Sequence, residues 1–230
     1  PALVSVVATF YNPTGTTLSA ERRRELADLA DRYGFLVVDD DPYGELRWAG
    51  EAPPPLASLT DRVITLGTTS KVLCPGLRVG WAAGPTSVVQ HLVRVKQAAD
   101  LHTGTLTQAL VHHLVTEPGF LADRLPRLRA TYATHARALA DAVRREAGDV
   151  LRFAEPEGGM FLWADVEGAV DVDALLPVAV DHGVAFVPGS AFAVDAAPRP
   201  ALRLSFATAV AAGLAEAARR LGRALRTVTP

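Results

Sequence analysis

The sequence predicts an α/β fold: part of a large domain built on a mixed, mostly parallel sheet, followed by a smaller α+β domain. Three observations carry this. Short apolar, β-branched runs at residues 3–9, 35–38 and 63–66 alternate with helical or loop stretches, the pattern of strands linked by crossovers. Polar clusters follow these runs at their C-terminal ends, where ligands sit in open parallel sheets. After Asp149 the order of elements changes, with strand-like and helix-like stretches that no longer alternate regularly.

The elements follow in order. Residues 3–9 form a continuous apolar run, expected as a strand buried on both faces. Thr14-Gly15 marks a turn. Ser19 is a good helix N-cap, Glu21 favours the first turn, and Gly34 ends the helix. Leu26, Leu29, Ala30 and Tyr33 fall at the spacing of one helical face, the expected core face. Strands are expected at 35–38, 63–66 and 78–83. Residues 87–146 read as helical, with a kink or break at Pro126. Further strands are expected at 150–153, 160–165 and 202–206, and helices at 173–181 and 210–226. The division is residues 1–125 for the large-domain part, 126–148 for a connecting helix and 149–230 for the small domain.

Composition narrows the function. Formal net charge is -2, with no basic stripe and no long run of like charge, which disfavours nucleic acid and membrane surfaces as partners. The single cysteine, Cys74, rules out an intrachain disulfide and a cysteine zinc site. A reducing cytoplasm is the expected compartment. The histidines have no metal-ligand spacing, so no metal site is expected. Phosphate-loop, dinucleotide-fingerprint and serine-hydrolase signatures do not occur. The chain starts at Pro1, directly before a strand-like run, and is expected to be a fragment or a processed chain.

Several residues carry candidate chemistry. Lys71 follows Gly67-Thr68-Thr69-Ser70 just past a strand. Such a lysine can bind phosphate or capture a carbonyl as an amine, or it can simply be a loop lysine. Asp39-Asp40-Asp41-Pro42 ends another strand. It can be a solvated turn or a Mg²⁺ site, or it can hold one aspartate facing a cationic ring nitrogen. Asn12, in Asn-Pro-Thr-Gly, reads as an ordinary turn or as an amide aimed at a ligand. Arg78 is a surface arginine or a phosphate fork. Arg203, between apolar neighbours on a strand, forms a structural ion pair, reaches solvent from an edge strand, or clamps a carboxylate.

The order of these motifs is more specific than any one of them. Tyr11-Asn-Pro-Thr-Gly15, Asp39-Asp-Asp-Pro-Tyr-Gly-Glu-Leu46, Gly67-Thr-Thr-Ser-Lys71 and Pro75-Gly-Leu-Arg-Val-Gly-Trp81 come in that sequence. Pro156-Glu-Gly-Gly-Met-Phe-Leu-Trp163, Val187-Pro-Gly-Ser-Ala-Phe192 and Leu202-Arg-Leu-Ser-Phe206 continue it. Together they resemble the class I/II aminotransferases, pyridoxal 5'-phosphate (PLP) enzymes of fold type I. The subgroup resembled contains the 2-aminoadipate, kynurenine and aromatic amino-acid aminotransferases.

The resemblance implies transfer of an amino group from an L-amino acid to a 2-oxo acid in two half-reactions. It implies Lys71 as the Schiff-base lysine and proton shuttle, and Asp40 as partner of the pyridine nitrogen. Tyr43 and Asn12 bind the ring's phenolic oxygen. Thr68 and Arg78 hold the phosphate, with Ser70 a weaker candidate. Arg203, helped by Asn12, grips the substrate α-carboxylate. A homodimer is implied as well. Two departures are Thr68-Thr69-Ser70 in place of Thr-Phe-Ser, and His135-Ala136 where basic residues often follow Tyr132. The family also has an N-terminal stretch that this chain lacks, and its absence is expected to expose strand edges.

Other readings compete. A PLP lyase, oxidase or cyclase would use the same residues. The effector domain of a GntR/MocR-type transcription regulator has the same fold, although Asp-Asp-Pro-Tyr and Asn-Pro-Thr-Gly favour the enzyme. A third is an assembly part that binds no cofactor.

Overall fold

Four short strands build the first sheet: β1 (Leu3–Val6), β2 (Leu36–Asp40), β3 (Val63–Thr68) and β4 (Gly80–Ala83). They lie in that order, with β1, β2 and β3 parallel and β4 antiparallel to β3. The computed structural model describes residues 2–194 and 200–228. Within it the chain divides into two units, one of residues up to Tyr11 with Thr16–Leu128, the other of Asn12–Gly15 with Arg129 onward.

In the first unit, helix α1 (Ala20–Tyr33) returns the chain from β1 to β2. Ser19 Oγ accepts from the Arg22 N–H, satisfying a donor that a helix start leaves orphaned. Gly34 closes the other end at φ 73°, its N–H donating to the Ala30 carbonyl. Both limits match the sequence reading, and the expected face does so in part: Ala30 is buried and Leu26 packs against the core. Arg23, Ala27 and Ala30 face inward, while Leu29 and Tyr33 are exposed, Tyr33 at 67%. Alanines let the helix approach the sheet closely, and the arginine finds internal acceptors.

Ala8, Ala30, Phe35, Val37, Leu56 and Val63 form the core, with Val4, Val6, Leu18 and Leu26 packed against it. β1 is therefore half-buried on one face only, not buried on both as its composition predicts. It is an edge of the sheet, and Leu3 and Ser5 are uncovered by the described residues. β4, the opposite edge, is exposed throughout, including Trp81.

Helices α2 (Thr86–Ala99), α3 (Thr105–Thr116) and α4 (Phe120–Ala147) follow. Pro126 lies inside α4, which runs through it unbroken. Of the expected kink or break, the break does not occur: proline removes one backbone bond at about 3 kcal/mol, and burial of Leu139, Val143 and five alanines along the same helix outweighs that.

The second unit holds an antiparallel sheet of β5 (Leu151–Arg152), β6 (Phe161–Val166), β7 (Val187–Pro188) and β8 (Ala201–Ser205), in the order β5-β6-β8-β7. The two-residue β7 has no periodicity for sequence reading to detect. β6 alternates as a half-buried strand should. Leu162, Ala164 and Val166 are buried, while Phe161, Trp163 and Asp165 stand on the other face. Helices α5 (Val172–Asp181) and α6 (Ala211–Val228) pack together, and Leu175, Leu202, Phe206 and Leu221 are fully buried. No helix among the described residues is long and apolar enough to cross a membrane.

Candidate active site

Parallel strands β2 and β3 end side by side, with Asp40 in register with Leu66. The backbone N–H of Asp41 donates to the Leu66 carbonyl at 3.0 Å, extending the pairing one residue past β2. This places the aspartates and the Thr68–Lys71 turn at the C-terminal ends of two adjacent strands. Successive side chains on β2 point to opposite faces, so Asp39 is buried and Asp40 is exposed. Asp41 Oδ1 accepts from the Gly44 N–H at 2.7 Å. That turn leads the chain through Tyr43, which is buried.

The turn beyond β3 is fixed from three sides. Thr69 is buried, and both its N–H and its hydroxyl donate to the Val79 carbonyl, each at 3.0 Å. The Thr68 hydroxyl donates to Ser70 Oγ at 3.0 Å and accepts from the Ser70 N–H at 3.1 Å. Arg124 donates to the carbonyls of Val72 and Leu73 at 2.6 and 2.9 Å. Lys71 lies between these anchors, half-buried, and its amine makes no hydrogen bond or ion pair among the described residues. Arg78 is exposed, left-handed at φ 53°, and donates to the Pro75 carbonyl at 3.1 Å.

Electrostatics set the aspartates apart. Burial pushes the Asp39 carboxyl above its usual range. The Ala8 N–H it accepts works against that, and the Asp41 charge adds to it. Asp40 is also pushed up, by desolvation first and then by Asp41. Arg23 is pushed down by burial, with Asp39 and Asp41 opposing. The Asp40 carboxylate, like Lys71, makes no hydrogen bond or ion pair among the described residues.

The second unit brings Asn12 and Arg203 together. Arg203 Nη1 donates to Asn12 Oδ1 at 2.6 Å. Its guanidinium carbon stands 4.2 Å from the Phe161 ring centroid and 5.1 Å from that of Phe192. Trp163, opposite Arg203 in the sheet, meets Phe192 edge-on with centroids 6.1 Å apart. Aromatic faces attract a guanidinium, so the fork is held flat with one donor committed to Asn12. These two residues belong to one unit, while Asp40, Tyr43, Thr68, Lys71 and Arg78 belong to the other.

Sequence reasoning passed over Arg23, Asp39, Arg124 and the Phe161–Phe192 pair. An arginine at a core position of α1 was the one readable signal, because charge there requires internal partners.

An α/β unit with a lysine-bearing turn beyond its third strand, followed by a small antiparallel sheet, defines a fold type I PLP aminotransferase architecture. The chain belongs to the class I and II aminotransferases, whose sequence profile matches residues 3–221. It is 37% identical over 226 residues to an aromatic-amino-acid aminotransferase of Thermococcus litoralis, covering 97% of this chain and 54% of that one. A solved α-aminoadipate aminotransferase of Thermus thermophilus, complexed with N-(5'-phosphopyridoxyl)-L-leucine, superposes with a TM-score of 0.92 at 40% identity, over 98% of this chain and 59% of that one. An uncharacterized HTH-type transcriptional regulator of Bacillus subtilis is 31% identical over 229 residues, 95% of this chain and 46% of its own. The chain thus spans a little over half the length of the aminotransferases it matches.

Members of this family use PLP. The residues here fit that group. PLP carries an aldehyde, a basic ring nitrogen and a phosphate. The first unit offers an amine and a carboxylate without partners among the described residues, and two hydroxyls and an exposed guanidinium.

Proposed function

We propose that this chain forms the greater part of an aminotransferase that moves an amino group from an L-amino acid to a 2-oxo acid in two half-reactions, using PLP. The observation that supports the reading is that Asp40 and Lys71 stand at the C-terminal ends of the adjacent strands β2 and β3, each without a protein partner among the described residues.

PLP, when bound, supplies the electron sink that lets an amino-acid Cα–H bond break. The residues do the rest. Lys71 Nζ would hold the cofactor's aldehyde carbon and would take up and return the proton released from the substrate Cα. Asp40 keeps the ring nitrogen protonated, and a cationic partner there reverses the upward push on its carboxyl. Tyr43 and Asn12 bind the ring's phenolic oxygen. Thr68 and Arg78 hold the phosphate, with Ser70 beside them. Arg203, braced by Asn12 and two aromatic rings, receives the substrate carboxylate. The active protein is a cytoplasmic homodimer.

The test is borohydride reduction after incubation with PLP, followed by intact mass, for wild type and Lys71→Ala, in this chain and in a full-length chain. An adduct on wild type that Lys71→Ala abolishes supports the reading. Failure of the full-length protein to form one refutes it. A second reading, the effector part of a transcription regulator, is favoured by the likeness to the Bacillus subtilis protein. It predicts the same adduct without amino-group transfer to any 2-oxo acid.

A further inference from the structure

Among the described residues, Arg23 and Asp39 are the buried charged side chains, at 3% and 5% exposure. They do not meet directly. Asp39 Oδ1 accepts from the Ala8 N–H at 3.3 Å, and the Ala8 carbonyl accepts from Arg23 Nη2 at 2.8 Å. One peptide group therefore lies between the two charges. The rest of the Arg23 fork is also committed. Nη2 donates to Thr9 Oγ1 at 2.8 Å, Nε to the Leu18 carbonyl at 3.0 Å and Nη1 to the Pro54 carbonyl at 3.3 Å.

Three of these acceptors, on Ala8, Thr9 and Leu18, border one feature. Between Thr9 and Leu18 the chain makes an excursion closed by Leu18 N–H to the Ala8 carbonyl, Tyr11 N–H to the Thr16 carbonyl and Phe10 N–H to Thr17 Oγ1. Asn12 lies within it. At its entrance Phe10, buried and without the freedom of glycine, is left-handed at φ 51°, a conformation that persists only where surroundings over-determine it. An apolar side chain on α1 would fill the same space without the cost of burying charge. What it could not do is hold the carbonyls of three segments at fixed positions.

We propose that Arg23 is a positioning residue for the cofactor: it pins Ala8, Thr9 and Leu18 beyond β1 and, through the Ala8 peptide, the end of β2 that presents Asp40. This rests on the PLP reading above. Arg23 touches no reacting group and acts through Ala8, Thr9 and Leu18.

The experiment uses the full-length protein and the variants Arg23→Met, Arg23→Lys and Thr9→Val. The PLP dissociation constant and the pH midpoint of the bound-cofactor absorbance are measured beside thermal melting of the cofactor-free protein. Arg23→Met is expected to weaken PLP binding by about tenfold and to displace the midpoint, with partial recovery in Arg23→Lys. Thr9→Val, which removes one acceptor, is expected to displace the midpoint in the same direction with its melting unchanged. Wild-type dissociation constants and midpoints in Arg23→Met and Thr9→Val overturn the proposal, even if melting falls. If Arg23→Met does not fold, an undisplaced midpoint in Thr9→Val overturns it alone. A wild-type protein that binds no PLP overturns the function reading first, so the two failures are distinguishable.

Discussion

Replacing Arg203 with lysine keeps the positive charge and removes the planar fork. Arg203 commits Nη1 to Asn12 at 2.6 Å, and its guanidinium faces Phe161 and Phe192. The planar fork suits the two oxygens of a carboxylate. A lysine ammonium, with three donors about a point, cannot hold Asn12 and a bidentate carboxylate at once. The loss is one charge-assisted hydrogen bond, about 1.5–3 kcal/mol, plus part of two ring contacts at about 0.5 kcal/mol each. A net cost of about 2–3 kcal/mol corresponds to a fall of roughly 30- to 150-fold in kcat/KM for an amino donor. The assay is steady-state transamination by the full-length protein, with PLP binding followed by absorbance as the control. The expected result is a large fall in kcat/KM with cofactor binding intact. A fall smaller than roughly threefold, well under 1 kcal/mol, would refute the assignment of Arg203 as the carboxylate receptor.

Two further outcomes concern stability. Ser19→Ala removes the side-chain acceptor at the start of α1 and should cost about 1 kcal/mol, measured by urea unfolding; an unchanged midpoint would show that the cap contributes nothing. Asp39 has a folded-state pKa raised above its ordinary value of 3.8. Its contribution to stability is therefore complete below that ordinary value and is lost as pH rises through the raised one. Asp39→Asn keeps an oxygen for the Ala8 N–H and does not ionise, so unfolding free energy should fall less steeply above pH 3.8 than in wild type. Equal or steeper slopes in the variant would contradict the burial argument.

The elements legible in the sequence are those with a local chemical cause. Ser19 and Gly34 mark both ends of α1 because capping depends on single residues and their neighbours. The strand-end motifs are legible for a similar reason: a lysine turn after β3 and the aspartates that end β2 stand beside short apolar runs. The misreadings concern burial. Leu26, Leu29, Ala30 and Tyr33 fit a core face by spacing, yet only Leu26 and Ala30 meet the core, while Leu29 and Tyr33 are exposed and α1 turns Arg23 and Ala27 inward. β1 reads as a two-faced buried strand and is an edge strand half-buried on one side. Spacing specifies a face, but the neighbouring elements decide whether anything covers it.

By itself the sequence determined the α/β class, the order of the motifs and the family they belong to, because caps, turns and strand-end residues act over a few positions. Tertiary structure alone decided which groups share an environment. Arg203 and Asn12 lie 191 positions apart and meet at 2.6 Å. Asp39 and Asp40 are adjacent in the chain, yet one is buried and the other exposed. Arg23 is a charged residue inside a core, tolerable only because Leu18, Ala8, Thr9 and Pro54 converge on it. Dielectric surroundings and hydrogen-bond partners belong to the packed chain, and no window of sequence contains them.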